Sequence, residues 1–256
     1  MSVRSLPDRA TRAIAVLVLA LAAAPAVTAG MPAHQKKPVK LESTLRTEYS
    51  ITQNNKEMGH EAVEKKTYDN NTVVFTIDAE MTYGPGVTMK QHAELTVEED
   101  SYFPRSLHLT KNVSDPNGKG IAHQLDVEMF SNVAVITSTL GGVAGSRRLV
   151  VPTGVAIEDL GVVGYLYQTL FWYDRETGGN QRFQWLDPVG VEVHSGQISL
   201  GDPETISVMK KKTRTSVFKL ERDRLGPATL WVDSQGTIVR AQQNMFNYEL
   251  VSKKSS

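Results

Sequence analysis

Six histidines, 28 acidic residues and no cysteine are the stock from which this chain of 256 residues would have to build a reactive centre. His60-Glu61 opens like the His-Glu-x-x-His of a zinc hydrolase, where two imidazoles one helical turn apart share an ion. Glu64 stands four positions after His60, and the run alternates like a strand, so that reading fails. His92 and Glu94, two apart, would share one strand face and supply two metal ligands, with a third needed from elsewhere. They read as polar residues on a solvated sheet face. Asp115-Pro-Asn117-Gly118-Lys119-Gly120, with Asp126 at the twelfth position, is like a calcium loop in outline only. Lys119 occupies a ligand position and Asp126 replaces the bidentate glutamate, so a hairpin turn is expected. Nucleophilic catalysis lacks a Gly-x-Ser-x-Gly elbow, and Gly142-Val-Ala-Gly145-Ser146-Arg147 lacks the Gly-Lys-Ser/Thr of a phosphate loop. Asp126 with Glu128, and Glu192 with its neighbours, read as solvated faces. No catalytic residue, metal site or cofactor is therefore expected. An interior cluster of His92, Glu94 or His108 with Asp126 would reopen the enzyme reading.

The chain's strong charge cluster is Lys210-Lys211-Lys212-Thr-Arg214, followed by Lys219, Arg222 and Arg224. It suits an anionic surface, or a strand edge kept from sheet-to-sheet aggregation by its lysines, and the second reading is preferred. The aromatic run Gly161-Val-Val-Gly-Tyr165-Leu-Tyr-Gln-Thr-Leu-Phe-Trp-Tyr173 is different in kind. On a helical wheel Val163, Leu166, Tyr167, Leu170 and Phe171 form one face, and Val162, Tyr165 and Trp172 lie on another. Gln168 and Thr169 are its strongly polar interruptions. A helix apolar on two faces must be covered on both, by a sheet, a partner, a membrane or a ligand.

The elements around this run are strands. Period-two alternation starts at Thr44 and recurs between Asn54-Asn55-Lys56, Asp69-Asn70-Asn71, Gly84-Pro-Gly86, Asp115-Pro-Asn-Gly118, Ser131-Asn132 and Asp233-Ser-Gln-Gly236. Gly141-Gly142-Val-Ala-Gly145 reads as a flexible joint, and Gly178-Gly179 as the stop of the helix. The fold class expected is mostly β: a curved antiparallel sheet or half-barrel of roughly 12–15 hairpin-connected strands, with one covering helix near 161–176. A single sheet around that helix is preferred to two packed halves.

The first 29 residues read as an export leader. Arg4, Arg9 and Arg12 precede the apolar run Ala13 to Ala24, Pro25 breaks it, and Val27-Thr28-Ala29 offers a cleavage site. Twelve apolar residues fall short of the roughly 20 that span a bilayer as a helix. Cleavage after Ala29 would leave a flexible tether over 30–43, a β-rich domain over 44–252, and a tail over 253–256. With 28 basic and 28 acidic residues overall, and 25 against 27 after the leader, nucleic acid is not an expected partner. No later apolar run reaches transmembrane length. An exported fold without cysteines suits a bacterial periplasm.

Tyr49-Ser-Ile-Thr-Gln-Asn-Asn-Lys56-Glu-Met-Gly59-His60, Leu186-Asp187-Pro188 and Leu230-Trp-Val-Asp233-Ser-Gln-Gly236-Thr-Ile238-Val-Arg240 carry a resemblance. They are similar to the turn-and-strand motifs of an uncharacterised family of bacterial periplasmic β-proteins. The resemblance implies an architecture like the lipoprotein carriers, a curved half-barrel whose greasy concave face lies under helical cover. It implies no catalytic residues. The chain departs from the carriers in having one convincing helix. The expectation is then a non-enzymatic protein that encloses an apolar or amphiphilic, lipid-like ligand with Tyr165, Leu166, Phe171, Trp172 and Trp185 as wall residues. The alternative is an envelope interaction module that docks another protein and holds no small ligand.

Overall fold

The structure, a computed structural model, describes residues 39–159 and 162–256. The expected leader, its cleavage site and most of the expected tether lie outside the described residues.

Eight antiparallel neighbours follow one another from the start: β1 (Leu41–Gln53), β2 (Lys56–Tyr68), β3 (Thr72–Tyr83), β4 (Val87–Glu98), β5 (Pro104–Ser114), β6 (Gly120–Phe130), β7 (Val133–Leu140) and β8 (Val143–Val150). A short β9 (Val155–Ile157) and the helix α1 (Leu166–Phe171) come next. The second series is β10 (Asn180–Asp187), β11 (Glu192–Leu200), β12 (Glu204–Val208), β13 (Lys211–Arg222), β14 (Ala228–Val232), β15 (Ile238–Gln243) and β16 (Phe246–Ser255). Because β16 pairs with β1, both series join in one curved sheet that runs from β8 through β1 and β16 to β9, with β12 attached to β13 alone. The expected mostly-β class, with one covering helix, is what the chain forms. The first and last strands of the chain extend past the expected domain limits: β1 starts at Leu41, and Ser255 pairs with Leu45.

Local chemistry sets the hairpins. Asn54 and Asn55, Gly141 and Gly142, and Met209 and Lys210 each form a two-residue turn with both φ angles positive, the geometry that matches strand twist. Gly141-Gly142 is thus a hairpin turn, not a flexible joint, and β8 begins directly after it. Lys210, read with its cluster as part of a strand edge, sits instead in the β12–β13 turn. Asp115, Asp187 and Asp233 each accept two turn N–H groups through one carboxylate oxygen, holding the three Asp-led turns. Between β1 and β2 the register slips, with Ile51 opposite Gly59 but Thr52 opposite Glu57. A side chain at Gly59 would run into the carbonyl oxygen of Glu80 on β3, so this bulge requires glycine.

Two features depart from a hairpin-connected meander. β9 pairs parallel to β10, which obliges the chain to cross over, and the crossover carries α1. Alternation gives no sign of β9 because Val155, Ala156 and Ile157 are all buried, and it lies against β5. The helix is also shorter than the expected 161–176. Val163 and Gly164 give their N–H groups to the Glu61 carboxylate, and Asp174 takes those of Glu176 and Thr177 into a separate turn. Side-chain acceptors at both ends compete with helical hydrogen bonds and end the helix. The inward rows of the sheet supply the core around this crossover, among them Tyr49, Phe75, Ile77, Leu95, Leu109, Phe218, Leu230 and Tyr248.

Candidate ligand-binding cleft

His92 and His108 fall on the outer face. His92 pairs with Asp78 at 2.6 Å and His108 with Asp126 at 2.5 Å, and all four side chains are largely exposed. Glu94 is opposite His108 across the strands. The interior cluster that would reopen the enzyme reading does not form from these residues, because their phase in β3 to β6 is the solvent phase. Among the described residues no group of three or more His, Asp or Glu side chains is disposed to hold a metal ion.

The interior is polar in a different place. Along β2 the inward row is Glu61, Val63, Lys65 and Thr67. Fully buried, Glu61 accepts N–H from Val163 at 3.0 Å and Gly164 at 2.8 Å. Burial pushes its carboxyl up to about 7, against the opposing pull of those two N–H groups. Glu158 and Arg222 form a buried ion pair at 3.1 Å. Thr169 donates its hydroxyl to Glu158 at 2.8 Å, and Arg222 also donates to Gln243. Gln168 accepts the Ile157 N–H at 3.0 Å and donates to the Tyr102 carbonyl at 3.0 Å. Gln168 and Thr169, the polar interruptions of an apolar run, are therefore the fasteners of α1. Lys111 and Asp159 meet at 2.5 Å and brace the entry to the crossover.

The opposite side of α1 faces an opening. A cleft of about 230 Å³ lies between the helix, β1 and β2 on one flank, and β13 and β14 on the other. Tyr102, Tyr167, Leu170, Phe171 and Phe218 form its apolar wall, with Lys65 and Arg175 among the lining residues. Phe171 stacks on Tyr102 with ring centroids 4.0 Å apart and 10° between planes, yet remains 46% exposed. Tyr102 adopts φ of 50° in the β4–β5 turn, a left-handed conformation that costs a bulky residue about 1–3 kcal/mol. Hydrogen bonds from Tyr102 N–H to the Glu98 carbonyl and from Glu98 N–H to the Phe103 carbonyl fix that turn. The strain delivers the Tyr102 ring beneath Phe171. Tyr167 joins the wall with its ring stacked on Phe75 and its hydroxyl 3.1 Å from that of Tyr49. Burial pushes the Tyr167 phenol up to about 12.

Of the five residues expected to line a ligand site, Phe171 lines this cleft. Tyr165 and Leu166 are buried in the core, and Trp185 is buried beside His194 with ring centroids 4.6 Å apart. Trp172 is half-buried and donates its indole N–H to the Ser101 carbonyl at 2.6 Å. The Tyr165 hydroxyl neighbours the Gln91 amide, but no hydrogen bond of normal geometry joins them. Burial raises Tyr165 well above the ordinary phenol range. The sequence reading missed Tyr102, Lys65, Arg175 and Phe218, which come from four separate parts of the chain. Tyr167 and Leu170, placed on the first helical face by the wheel, are the signal that could have pointed here.

Larger grooves exist but are of another character. One of about 860 Å³ crosses β10, β11 and β13 and is lined by the solvent-facing Arg182, Gln184, Gln197 and Glu221 with Thr153 and Asp223. Its lining mixes charges of both signs and is more polar than apolar, so it lacks the predominantly apolar surface of a small-molecule site.

No family model matches this chain, and no curated protein matches it. Among solved structures it is similar to the crystal structure of a β-barrel-like protein of a domain of unknown function, DUF1849, from Brucella abortus. The two share a TM-score of 0.61 over 83% of this chain and 98% of that one, at 8% sequence identity. At such identity the likeness shows the fold alone: a mostly-β, barrel-like architecture.

Proposed function

We propose that the protein is a non-enzymatic binding protein of the bacterial periplasm that takes the chain of an apolar or amphiphilic, lipid-like ligand into the cleft beside α1. Its half-barrel would then act in the manner of the lipoprotein carriers, with the crossover helix as cover. The observation that carries this reading is the Tyr102–Phe171 stack, an aromatic wall held by a strained turn and left open to a cleft. Burial of apolar ligand surface there is worth about 25 cal/mol per Å². The export leader in the sequence supports the compartment. The exposed setting of the His–Asp pairs, and the engagement of Glu61 and Glu158 in holding the crossover, support a binding role over catalysis.

Delipidated protein titrated with the uncharged fluorophore N-phenylnaphthylamine should show saturable, single-site binding. Phe171→Asp should weaken it by about tenfold or more, the equivalent of one well-buried aromatic contact. Binding that never saturates, or that ignores the substitution, overturns the reading.

A second reading rests on β8. This strand pairs with β7 on one side only, and Val143 and Val150 at its ends are exposed. An extended segment of an envelope protein could add to that edge by main-chain hydrogen bonds. A partner recovered from periplasmic extract by the wild type and lost with Val143→Lys/Val150→Lys would support it. Equal recovery by both proteins, or none, would remove it.

A further inference from the structure

We infer that the ligand of the cleft beside α1 is a single-chain amphiphile with an anionic head, a carboxylate or a phosphate, received by Lys65 and Arg175. The inference rests on the binding reading above and names the class of molecule that fits it. Three observations support it.

The first is the placing of Lys65. It belongs to the inward row of β2, in phase with the buried Glu61, Val63 and Thr67. A lysine set against apolar wall loses hydration, and such a charge calls for a partner. Its Nζ donates to the Tyr102 hydroxyl at 2.6 Å and lies 5.3 Å from the centre of that ring. Among the described residues no carboxylate stands within 4.0 Å of it, whereas the neighbouring Lys66, on the opposite face, pairs with Glu64 at 2.5 Å.

The second is Arg175, just beyond the helix. Its guanidinium lies 5.3 Å over the ring of Phe218 and donates to the Ser216 hydroxyl at 3.4 Å. It too has no carboxylate partner among the described residues. The cleft lining contains both cations and no acid, in a chain whose acids and bases are equal in number overall. A guanidinium and an ammonium can both donate to an oxyanion, with Lys65 held at the hydroxyl edge of Tyr102 and Arg175 over the face of Phe218.

The third is size. About 230 Å³ is below the roughly 300–1,000 Å³ of sites that enclose a drug-sized ligand, so the cleft takes one chain end and not the paired chains of a diacyl lipid. Tyr102 joins the two halves of the site. Its hydroxyl meets Lys65, and its face meets Phe171. An amphiphile lying along Tyr102 would place its head and its chain on matching chemistry.

The test is displacement of bound N-phenylnaphthylamine by dodecanoate, dodecyl phosphate, dodecanol and dodecyltrimethylammonium, all below their micellar concentrations. Dodecanoate, dodecyl phosphate or both should displace it at concentrations about tenfold lower than the alcohol or the cation, and added salt should narrow the gap. Whichever anion is preferred identifies the source of the head group. Lys65→Gln/Arg175→Gln should abolish the preference for the anions over dodecanol, and a far-ultraviolet circular dichroism spectrum and cooperative unfolding like those of the wild type show that the variant is folded. Equal displacement by dodecanol and both anions, or a preference that survives the double substitution, overturns the anionic head and leaves the binding reading standing. A probe that does not bind saturably overturns both.

Discussion

Glu61 is the residue through which the sheet grips the crossover, and its ionisation sets a test. Folding raises its carboxyl from the ordinary 4.5 to about 7, so the folded protein holds a proton that the unfolded chain releases at lower pH. The stability this lends is fully present below pH 4.5 and is lost as pH rises through 7. Thermal unfolding of the wild type should therefore fall by several degrees between pH 5 and pH 7.5, and Glu61→Gln, which cannot ionise and keeps an acceptor oxygen for one of the two N–H groups, should flatten that fall. An unchanged slope in the variant would assign the effect to other groups. Tyr49 and Tyr248 beside Glu61 are raised by burial too and stay protonated throughout this window. The role of Glu61 was illegible in the sequence for a specific reason. The bulge at Gly59 shifts the phase of β2, so Met58 and Glu61 point inward together although they are three residues apart. Plain alternation from Met58 would put His60 inside and Glu61 in solvent. The same shift turns Lys65 toward the cleft.

At the scale of elements, the strands were legible and the crossover was not. Alternation with Asn, Asp and Gly turns marks β1 to β7, β10, β11 and β14 to β16 to within a few residues, because each pairs with its neighbour and shows one face to water, whereas the Met209-Lys210 turn between β12 and β13 has no such residue. β9 shows neither face to water and lacks that mark. α1 announces itself by composition, but its length is set by Glu61, over 100 residues away in sequence, and by Asp174. Packing at its entry is tight. A methyl group at Gly164 would come within 2.6 Å of Ile77 Cδ1 and 3.2 Å of Val63 Cγ2. Gly164→Ala is accordingly expected to cost about 1–3 kcal/mol by overpacking, read from chemical denaturation with the dependence on denaturant unchanged. Full stability in that variant would mean that the crossover sits more loosely on β2 and β3 than described.

At the scale of the molecule, one continuous sheet carries both jaws of the cleft. β1 and β2 lie on one side of the β1–β16 pairing and β13 and β14 on the other, and the crossover helix bridges them. This explains why the cleft residues are scattered: Lys65, Tyr102, Phe171, Arg175 and Phe218 belong to β2, the β4–β5 turn, α1, the loop after it and β13. Curvature brings them together, and no local motif records curvature. It also leaves the sheet with free edges, of which β8 carries the exposed valines of the interaction reading. Ligand binding at the Tyr102–Phe171 wall is tested most directly by a calorimetric titration of dodecanoate into the delipidated chain and into its Phe171→Asp variant. One saturable site is expected in the first, and binding weakened by about tenfold or more in the second. Heats that never saturate in the wild type, or equal affinity in the two proteins, would contradict such binding.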